Sequence, residues 1–379
     1  MSFLFMNKKK ILIIFGTRPE VIKLSPIIKL LKKKKIEIIN CAIYQHTFML
    51  EQAIEYFNIK IDYKLKIKRN KNDLHSLLST IIKNLKNIIK KIKPDLVIVQ
   101  GDTTSALGGA ICANYLGIKV AHIESGLRTG NNDSPWPEEI NRKIISSISF
   151  LHFAPTELNK KNLLDENISS KKIFVTGNTV IDTIKNQLKN LKGKKLINLR
   201  KKFINLKNKK KIILVTGHRR ENLKNNSFRE ICIFLNLVAK FEKFQIILMM
   251  HLNPEVVKII KKNIKNSNIK IIKPVDYSSF IYLLKKSYIV ISDSGGIQEE
   301  TAYLGKPLLL TRHNTERPEG YKYNSIKLNK VNIKNLKKFF FKLTNDKYFY
   351  NKKTKKTLVF GNGMSSQYIY KILKKKIIK

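Results

Sequence analysis

Two carboxylates and one histidine follow directly on apolar, strand-like runs, and a third carboxylate lies shortly after one of them in the same loop system, where a folded chain could bring them together. Asp102 stands in Gln100-Gly101-Asp102-Thr103-Thr104, and Glu124 in His122-Ile123-Glu124-Ser125-Gly126-Leu127-Arg128-Thr129. Glu138 stands in Trp136-Pro137-Glu138-Glu139-Ile140-Asn141-Arg142, and His218 in Thr216-Gly217-His218-Arg219-Arg220-Glu221. Carboxylates gathered in one place remove and return protons, because burial and mutual repulsion can raise one pKa toward neutrality. His218, with cationic neighbours, is suited to protonate or polarise a leaving phosphate. Asp102 has a second reading, since a side chain there can equally cap the helix expected from Thr104. Spacing alone does not separate the two.

A second set of residues suits an anion. Gly16-Thr17-Arg18-Pro19-Glu20 turns from strand to helix with Lys23 one turn on, so backbone N–H groups, a positive dipole end and Arg18 converge on one point. Lys23 is also compatible with an ordinary solvated face. Ser292-Asp293-Ser294-Gly295-Gly296-Ile297-Gln298-Glu299-Glu300 repeats the arrangement; its glycines let backbone approach a diphosphate, and Glu300 lies where it can reach ribose hydroxyls. A plain glycine turn with a capping Ser294 would read similarly. Arg312 and Thr315-Glu316-Arg317-Pro318-Glu319 add cations after the last strong strand, while GxGxxG and GxxxxGK[ST] are absent.

The elements that must carry these residues alternate between short apolar runs and helix-length segments. Ile11-Phe15, Ile36-Tyr44, Leu96-Gln100, Lys119-Ile123 and Ile173-Thr176 predict strands of a first half. Ile212-Thr216, Gln245-His251, Ile269-Ile272, Tyr288-Ser292 and Pro307-Leu310 predict those of a second. The expected fold is α/β, two Rossmann-like doubly wound parallel-sheet domains facing a cleft, with every motif at a strand's carboxyl end. The predicted domains are 1–182, carrying most of the catalytic candidates, and 183–364, with 365–379 as a C-terminal helix. Asn178-Lys211, with Gly193, reads as a helix running into a linker.

Composition excludes several classes. With 75 Lys and Arg against 27 Asp and Glu the formal charge is +48, yet the excess is spread in runs such as Lys32-Lys35, Lys209-Lys211 and Lys374-Lys376. A basic patch interleaved with aromatics is missing, so no specific nucleic-acid partner is expected. No stretch reaches bilayer-spanning length and the start lacks a signal peptide's pattern, which predicts a cytoplasmic protein without a membrane partner. Cys41, Cys112 and Cys232 are far apart in apolar surroundings and read as buried free thiols; no metal-ligand spacing is present.

The ordered series GTRPEVIKLSPII, GDTTSALGGAICA, HIESGLRT, PEEINR, FAPTE, TGNTVID, GHRREN, HLNP, SDSGGIQEE, GKP and TERPEG resembles the non-hydrolysing UDP-N-acetylglucosamine 2-epimerases over nearly the whole chain. The resemblance implies a glycosyltransferase-B-like fold, usually a homodimer, with the last helix, near Tyr368-Lys376, returning to the first domain. It implies interconversion of UDP-GlcNAc and UDP-ManNAc through 2-acetamidoglucal, with no added cofactor. It puts Arg18, Lys23, Asp102, Glu124, Glu138 and His218 around the reacting sugar and leaves open which carboxylate is the base. Ser294, Gly295 and Gly296 fall to the diphosphate, Glu300 to ribose, Phe280 and the Val275 backbone to uracil, and Arg317 near the nucleotide. Relatives are often activated by UDP-GlcNAc through Gln45, His46, Arg142 or neighbours. Here the Arg that usually follows the Gln-His pair is missing, and Ser146-Ser147 replaces a usual Asp or Gly followed by His.

Overall fold

The computed structural model describes residues 9–44, 47–67, 73–203, 210–217, 226–251, 253–312, 314–328 and 330–378. The first part of the chain runs β1 (Lys10–Phe15), α1 (Arg18–Lys33), β2 (Glu37–Tyr44), α2 (Thr47–Phe57), β3 (Tyr63–Lys66), α3 (Leu74–Ile92), β4 (Leu96–Gln100) and α4 (Thr104–Tyr115). It continues through β5 (Lys119–Ile123), α5 (Glu138–Ile148), β6 (Leu151–Ala154), α6 (Glu157–Asp165), β7 (Ile173–Val175) and α7 (Thr179–Asn190). Its seven described strands form one parallel sheet in the order β3-β2-β1-β4-β5-β6-β7.

The second part holds α8 (Gly193–Phe203), β8 (Lys211–Thr216), α9 (Ser227–Val238), β9 (Phe244–Met249), α10 (Pro254–Asn263), β10 (Ile269–Ile272), α11 (Tyr277–Lys286) and β11 (Ser287–Ser292). Then come α12 (Gly295–Leu304), β12 (Leu308–Leu310), α13 (Glu319–Lys322), β13 (Ser325–Lys327), α14 (Ile333–Asn345), α15 (Lys347–Lys353) and α16 (Ser365–Leu373). Its six described strands, also parallel, take the order β10-β9-β8-β11-β12-β13. Each sheet therefore reverses direction once, at β1/β4 and at β8/β11, and in open α/β sheets ligands bind beyond such a switch point.

The packing divides the chain within α7. One unit ends at Thr183 and takes back the segment from Gly361 onward; the other is Ile184–Phe360. In the first unit α16 packs on α1, and its N-terminus is fixed by buried Asp182, which accepts from the Ser365 and Ser366 amides at 3.1 and 2.8 Å. Pro26 lies inside α1 and has no N–H for the Ile22 carbonyl, which instead accepts from the Thr183 hydroxyl at 2.8 Å. The central strands β1 and β4 are buried along almost their whole length, as parallel strands covered on both faces must be.

Every predicted strand is present, three with the predicted bounds and the others with ends shifted by one or two residues. Three strands went unpredicted: β3, β6 and β13 are three or four residues long. The linker reading fails over Gly193–Phe203, which is helix α8, with Leu199 and Phe203 buried and the helix packed against α11, while 204–209 lie outside the described residues. Its Lys-rich sequence hid an apolar edge at Leu196, Leu199 and Phe203, spaced for one helix face. The three cysteines are free and buried. Among the described residues no helix is long and apolar enough to cross a membrane.

Candidate active site

At the β1/β4 switch point of the first unit the chain turns twice, at Gly16 and at Gly101. Gly16 leaves no room for a side chain, since a Cβ there would collide with Ser105 Oγ on α4. Lys23, one turn into α1, is buried and donates to both oxygens of Glu124 at 2.7 and 2.5 Å, across 101 residues of sequence. Gln100 Nε2 donates to Glu124 Oε2, and Asn178 Nδ2 to Oε1 at 2.8 Å. Three donors, from helix α1, the end of β4 and the segment before α7, thus fix one carboxylate that is 5% exposed. Glu124 itself has φ +65°, a left-handed conformation that a non-glycine residue adopts at a cost of about 1 kcal/mol.

Asp102 does not cap α4. Thr103 does, accepting from the Ala106 amide at 3.0 Å, and Asp102 Oδ2 instead accepts from Arg142 Nε and Nη2 at 2.9 and 2.6 Å. Arg142 is buried on α5, and its Nη1 reaches Glu139 Oε2 at 2.7 Å. The other oxygen of Glu139 takes the Thr129 and Gly130 amides at 2.9 and 3.1 Å, tying the loop before α5 to the helix. Glu138, half-buried, opens α5 one residue before Glu139. Arg128 belongs elsewhere: its fork engages Glu166, with Nε and Nη2 each 2.6 Å from a carboxylate oxygen.

Three further buried groups face this region. His122 donates from Nε2 to the Gly101 carbonyl at 2.7 Å, and burial drives its pKa down to about 4. His152, paired with His122 in register on β6, has its Nδ1 3.1 Å from Ser125 Oγ and is driven down to about 3, again chiefly by burial. Glu20 accepts from the Gly16 amide at 3.1 Å and the Thr103 hydroxyl at 2.9 Å. Burial pushes its carboxyl up to about 7 against those hydrogen bonds.

In the second unit the β11–α12 turn repeats the strand-to-helix geometry. Ser294 is the N-cap residue of α12 without a side-chain cap bond, and its amide donates to Ser292 Oγ at 3.1 Å. A Cβ on Gly295 would sit 2.6 Å from Arg317 Nη1 and Glu316 Oε1, whereas one on Gly296 would meet no protein atom within 4 Å. Gly295 is thus demanded by the fold, and Gly296 leaves open space at a helix N-terminus. Glu300 accepts from the Tyr277 hydroxyl at 2.9 Å, and the Tyr277 ring lies 6.3 Å from that of Phe280. Val275 precedes α11 by two residues. Arg317 and Arg312 are buried: Arg317 pairs with Glu299 at 3.0 Å and with Glu316, which Arg312 reaches at 2.9 Å. The cations read from sequence are therefore charge-balanced by glutamates.

The structure brings Lys23, Asp102 and Glu124 to one sheet end, and Ser294, Gly295, Gly296, Glu300 and Phe280 to another. His218, Gln45 and His46 lie outside the described residues. Sequence reading did not assign roles to Glu20, Gln100, Asn178 or Tyr277. All four are polar residues at strand or helix ends, and only the fold shows Gln100, Asn178 and Tyr277 buried against a candidate group and Glu20 against the turns beside them.

The family described as UDP-N-acetylglucosamine 2-epimerase matches residues 29–374. A UDP-N-acetylglucosamine 2-epimerase of Campylobacter jejuni is 43% identical over 375 residues, covering 96% of this chain and 97% of that protein. The crystal structure of UDP-GlcNAc 2-epimerase from Neisseria meningitidis bound to UDP-GlcNAc is similar with a TM-score of 0.92 and 41% identity, covering 97% of this chain and 100% of that one. A glycosyltransferase structure from Rickettsia africae, 17% identical with a TM-score of 0.60 over 97% of this chain and 98% of that one, shares the fold alone.

Proposed function

The chain belongs to the UDP-N-acetylglucosamine 2-epimerase family, and on that premise we propose that it interconverts UDP-GlcNAc and UDP-ManNAc without releasing the sugar. The observation that carries the reading is the pair of held carboxylates at one switch point, Glu124 on Lys23, Gln100 and Asn178, and Asp102 on Arg142. Inversion at C2 needs a group that takes a proton from one face and a group that returns one to the other. The proton leaves C2, the C1–O bond to the diphosphate breaks, and its electrons leave with UDP, giving the C1=C2 bond of 2-acetamidoglucal. The diphosphate oxygen then re-forms its bond to C1 while a proton enters C2 from the opposite side. Electrons balance without an oxidant, so the proposal includes no added cofactor.

Asp102, Glu124 and Glu138 divide the proton transfers, Arg18 and Lys23 support the developing charge, and His218 serves the departing diphosphate. Ser294, Gly295 and Gly296 take the diphosphate on α12, Glu300 takes ribose, Phe280 with the Val275 backbone takes uracil, and Arg317 fixes the turn they share. We extend the proposal to a cytoplasmic homodimer that supplies surface-polysaccharide precursors and is activated by UDP-GlcNAc near Arg142.

Incubation with UDP-GlcNAc in deuterium oxide tests the reading. NMR should show UDP-ManNAc carrying deuterium at C2. Free ManNAc would mean a hydrolysing enzyme, and unlabelled, unchanged substrate would mean a nucleotide-sugar binder without turnover.

The two glycines separate fold from ligand. Gly296→Ala should leave the melting temperature unchanged or slightly raised, since Ala favours helix over Gly by about 1 kcal/mol, yet weaken UDP binding at least tenfold in calorimetry, roughly 1.4 kcal/mol. Gly295→Ala should instead destabilise the protein by about 2 kcal/mol, because its Cβ enters the buried Arg317 and Glu316 pair. Undiminished UDP affinity in Gly296→Ala would remove the diphosphate from this turn.

A further inference from the structure

We infer that Glu20 is a positioning residue for the proton transfers, its buried carboxylate holding the turn that carries Arg18 and the turn that carries Asp102 in one register. The inference rests on the epimerase reading for its kinetic consequence, and on geometry alone for the clamp itself.

Glu20 lies in the first turn of α1 and is 1% exposed. One oxygen takes the Gly16 amide at the end of β1, and the other takes the Thr103 hydroxyl at the end of β4. Thr103 in turn caps α4 through Ala106. A continuous chain of hydrogen bonds therefore runs Gly16, Glu20, Thr103, Ala106, from one strand end to the first turn of the neighbouring helix. Asp102 is the residue next to Thr103, and Lys23 lies three residues beyond Glu20 on the same helix. The two turns already touch at Gly16 and Ser105, where not even a methyl group fits. Packing sets their distance, and the clamp sets their relative slide.

The chemical identity of the residue supports this. Its hydrogen-bond partners are the Gly16 amide and the Thr103 hydroxyl. An amide and a hydroxyl compensate the burial of a carboxyl poorly. A glutamine would fill the same volume at lower cost, but its amide offers a single acceptor oxygen, whereas a carboxylate offers two oxygens to several donors.

The test compares Glu20→Ala, Glu20→Gln and Glu20→Asp in the full chain. Displacement of a reacting group by an ångström lowers rates by about 100-fold, so Glu20→Ala should lose kcat on that scale with unchanged calorimetric UDP affinity. Glu20→Asp should fall nearly as far, its carboxyl being too short to span both turns. Glu20→Gln should recover part of the rate. Thr103→Val should lose kcat too, and combining it with Glu20→Gln should cost less than the sum, because both sever one link. Wild-type kcat in Glu20→Ala, or strict additivity in the cycle, overturns the proposal. So does a parallel loss of UDP affinity and kcat without rescue by Gln.

Hydrogen exchange is the arm that survives failure of the epimerase reading. In Glu20→Ala, or in Glu20→Gln if that variant does not fold, amides of residues 16–18 and 103–106 should both exchange faster than in wild type. Faster exchange confined to 16–18 overturns the clamp whatever reaction the protein catalyses.

Discussion

Replacing Glu124 by Gln should lower epimerisation by about three orders of magnitude, the middle of the range for a lost general acid or base and about 4 kcal/mol of barrier. The substitution changes few atoms but reverses a contact. Lys23, Gln100 and Asn178 all aim donors at this carboxylate, and an amide nitrogen in its place faces donors with a donor. Lys23, buried with the carboxylate, then has only one acceptor oxygen there. Removing one partner of a buried ion pair costs about 3–5 kcal/mol, so the melting temperature should fall as well. Asp102→Asn should cost as much rate but less stability, because the Asp102 side chain is 25% exposed and water can replace part of its pairing with Arg142. UDP affinity should survive both changes, since the groups assigned to the nucleotide belong to the other unit. Initial rates by NMR and UDP binding by calorimetry decide the matter; a Glu124→Gln protein with more than about a tenth of wild-type kcat would relieve Glu124 of proton transfer.

Acidification should unfold the protein through His122 and His152. Both are buried and neutral, held down to about 4 and about 3 from an ordinary value of 6.5. The folded state refuses protons that the unfolded chain binds below 6.5. The stability they contribute is therefore complete above 6.5 and is lost as pH falls through 4 and 3. At 1.36 kcal/mol per unit, the two sites are worth about 3 and about 5 kcal/mol, comparable with the whole stability of many domains. Glu20 acts with the opposite sign. Its raised pKa means that the folded state keeps a proton the unfolded chain releases, so its contribution is complete below 4.5 and lost as pH rises through 7. The net stability should thus change little from pH 7 to 5 and drop steeply below. His122→Gln, which can still donate to the Gly101 carbonyl, and His152→Asn, which can still meet Ser125, remove the titrations while preserving the hydrogen bonds. Their combination should move the midpoint of acid unfolding, followed by circular dichroism, down by about one pH unit. A midpoint that stays in place would assign acid lability to other groups.

The sequence by itself determined the two parallel sheets, the placement of nearly every motif at a strand's carboxyl end, and the family. Those features are local or additive. A strand such as Leu96–Gln100 is legible because its four consecutive apolar residues, Leu96 to Val99, can only be buried, and a family signature accumulates over the whole chain. Local patterns failed where an element owes its form to a neighbour. Tyr63–Lys66 alternates half-buried and exposed at the sheet's edge and is a strand because β2 pairs with it, and α8 is helical through an apolar edge buried among lysines.

Only the tertiary structure decided which charges meet. Lys23 and Glu124 are 101 residues apart, Arg142 and Asp102 are 40 apart, and nothing in either local sequence selects the partner. It also resolved the double reading of Asp102, by giving the capping role to Thr103, and it turned Arg312 and Arg317 from available cations into halves of buried pairs. The physical reason is common to all of these. A buried charge is tolerated only with a partner, and the partner is chosen by the distance the fold leaves between side chains rather than by their order along the chain.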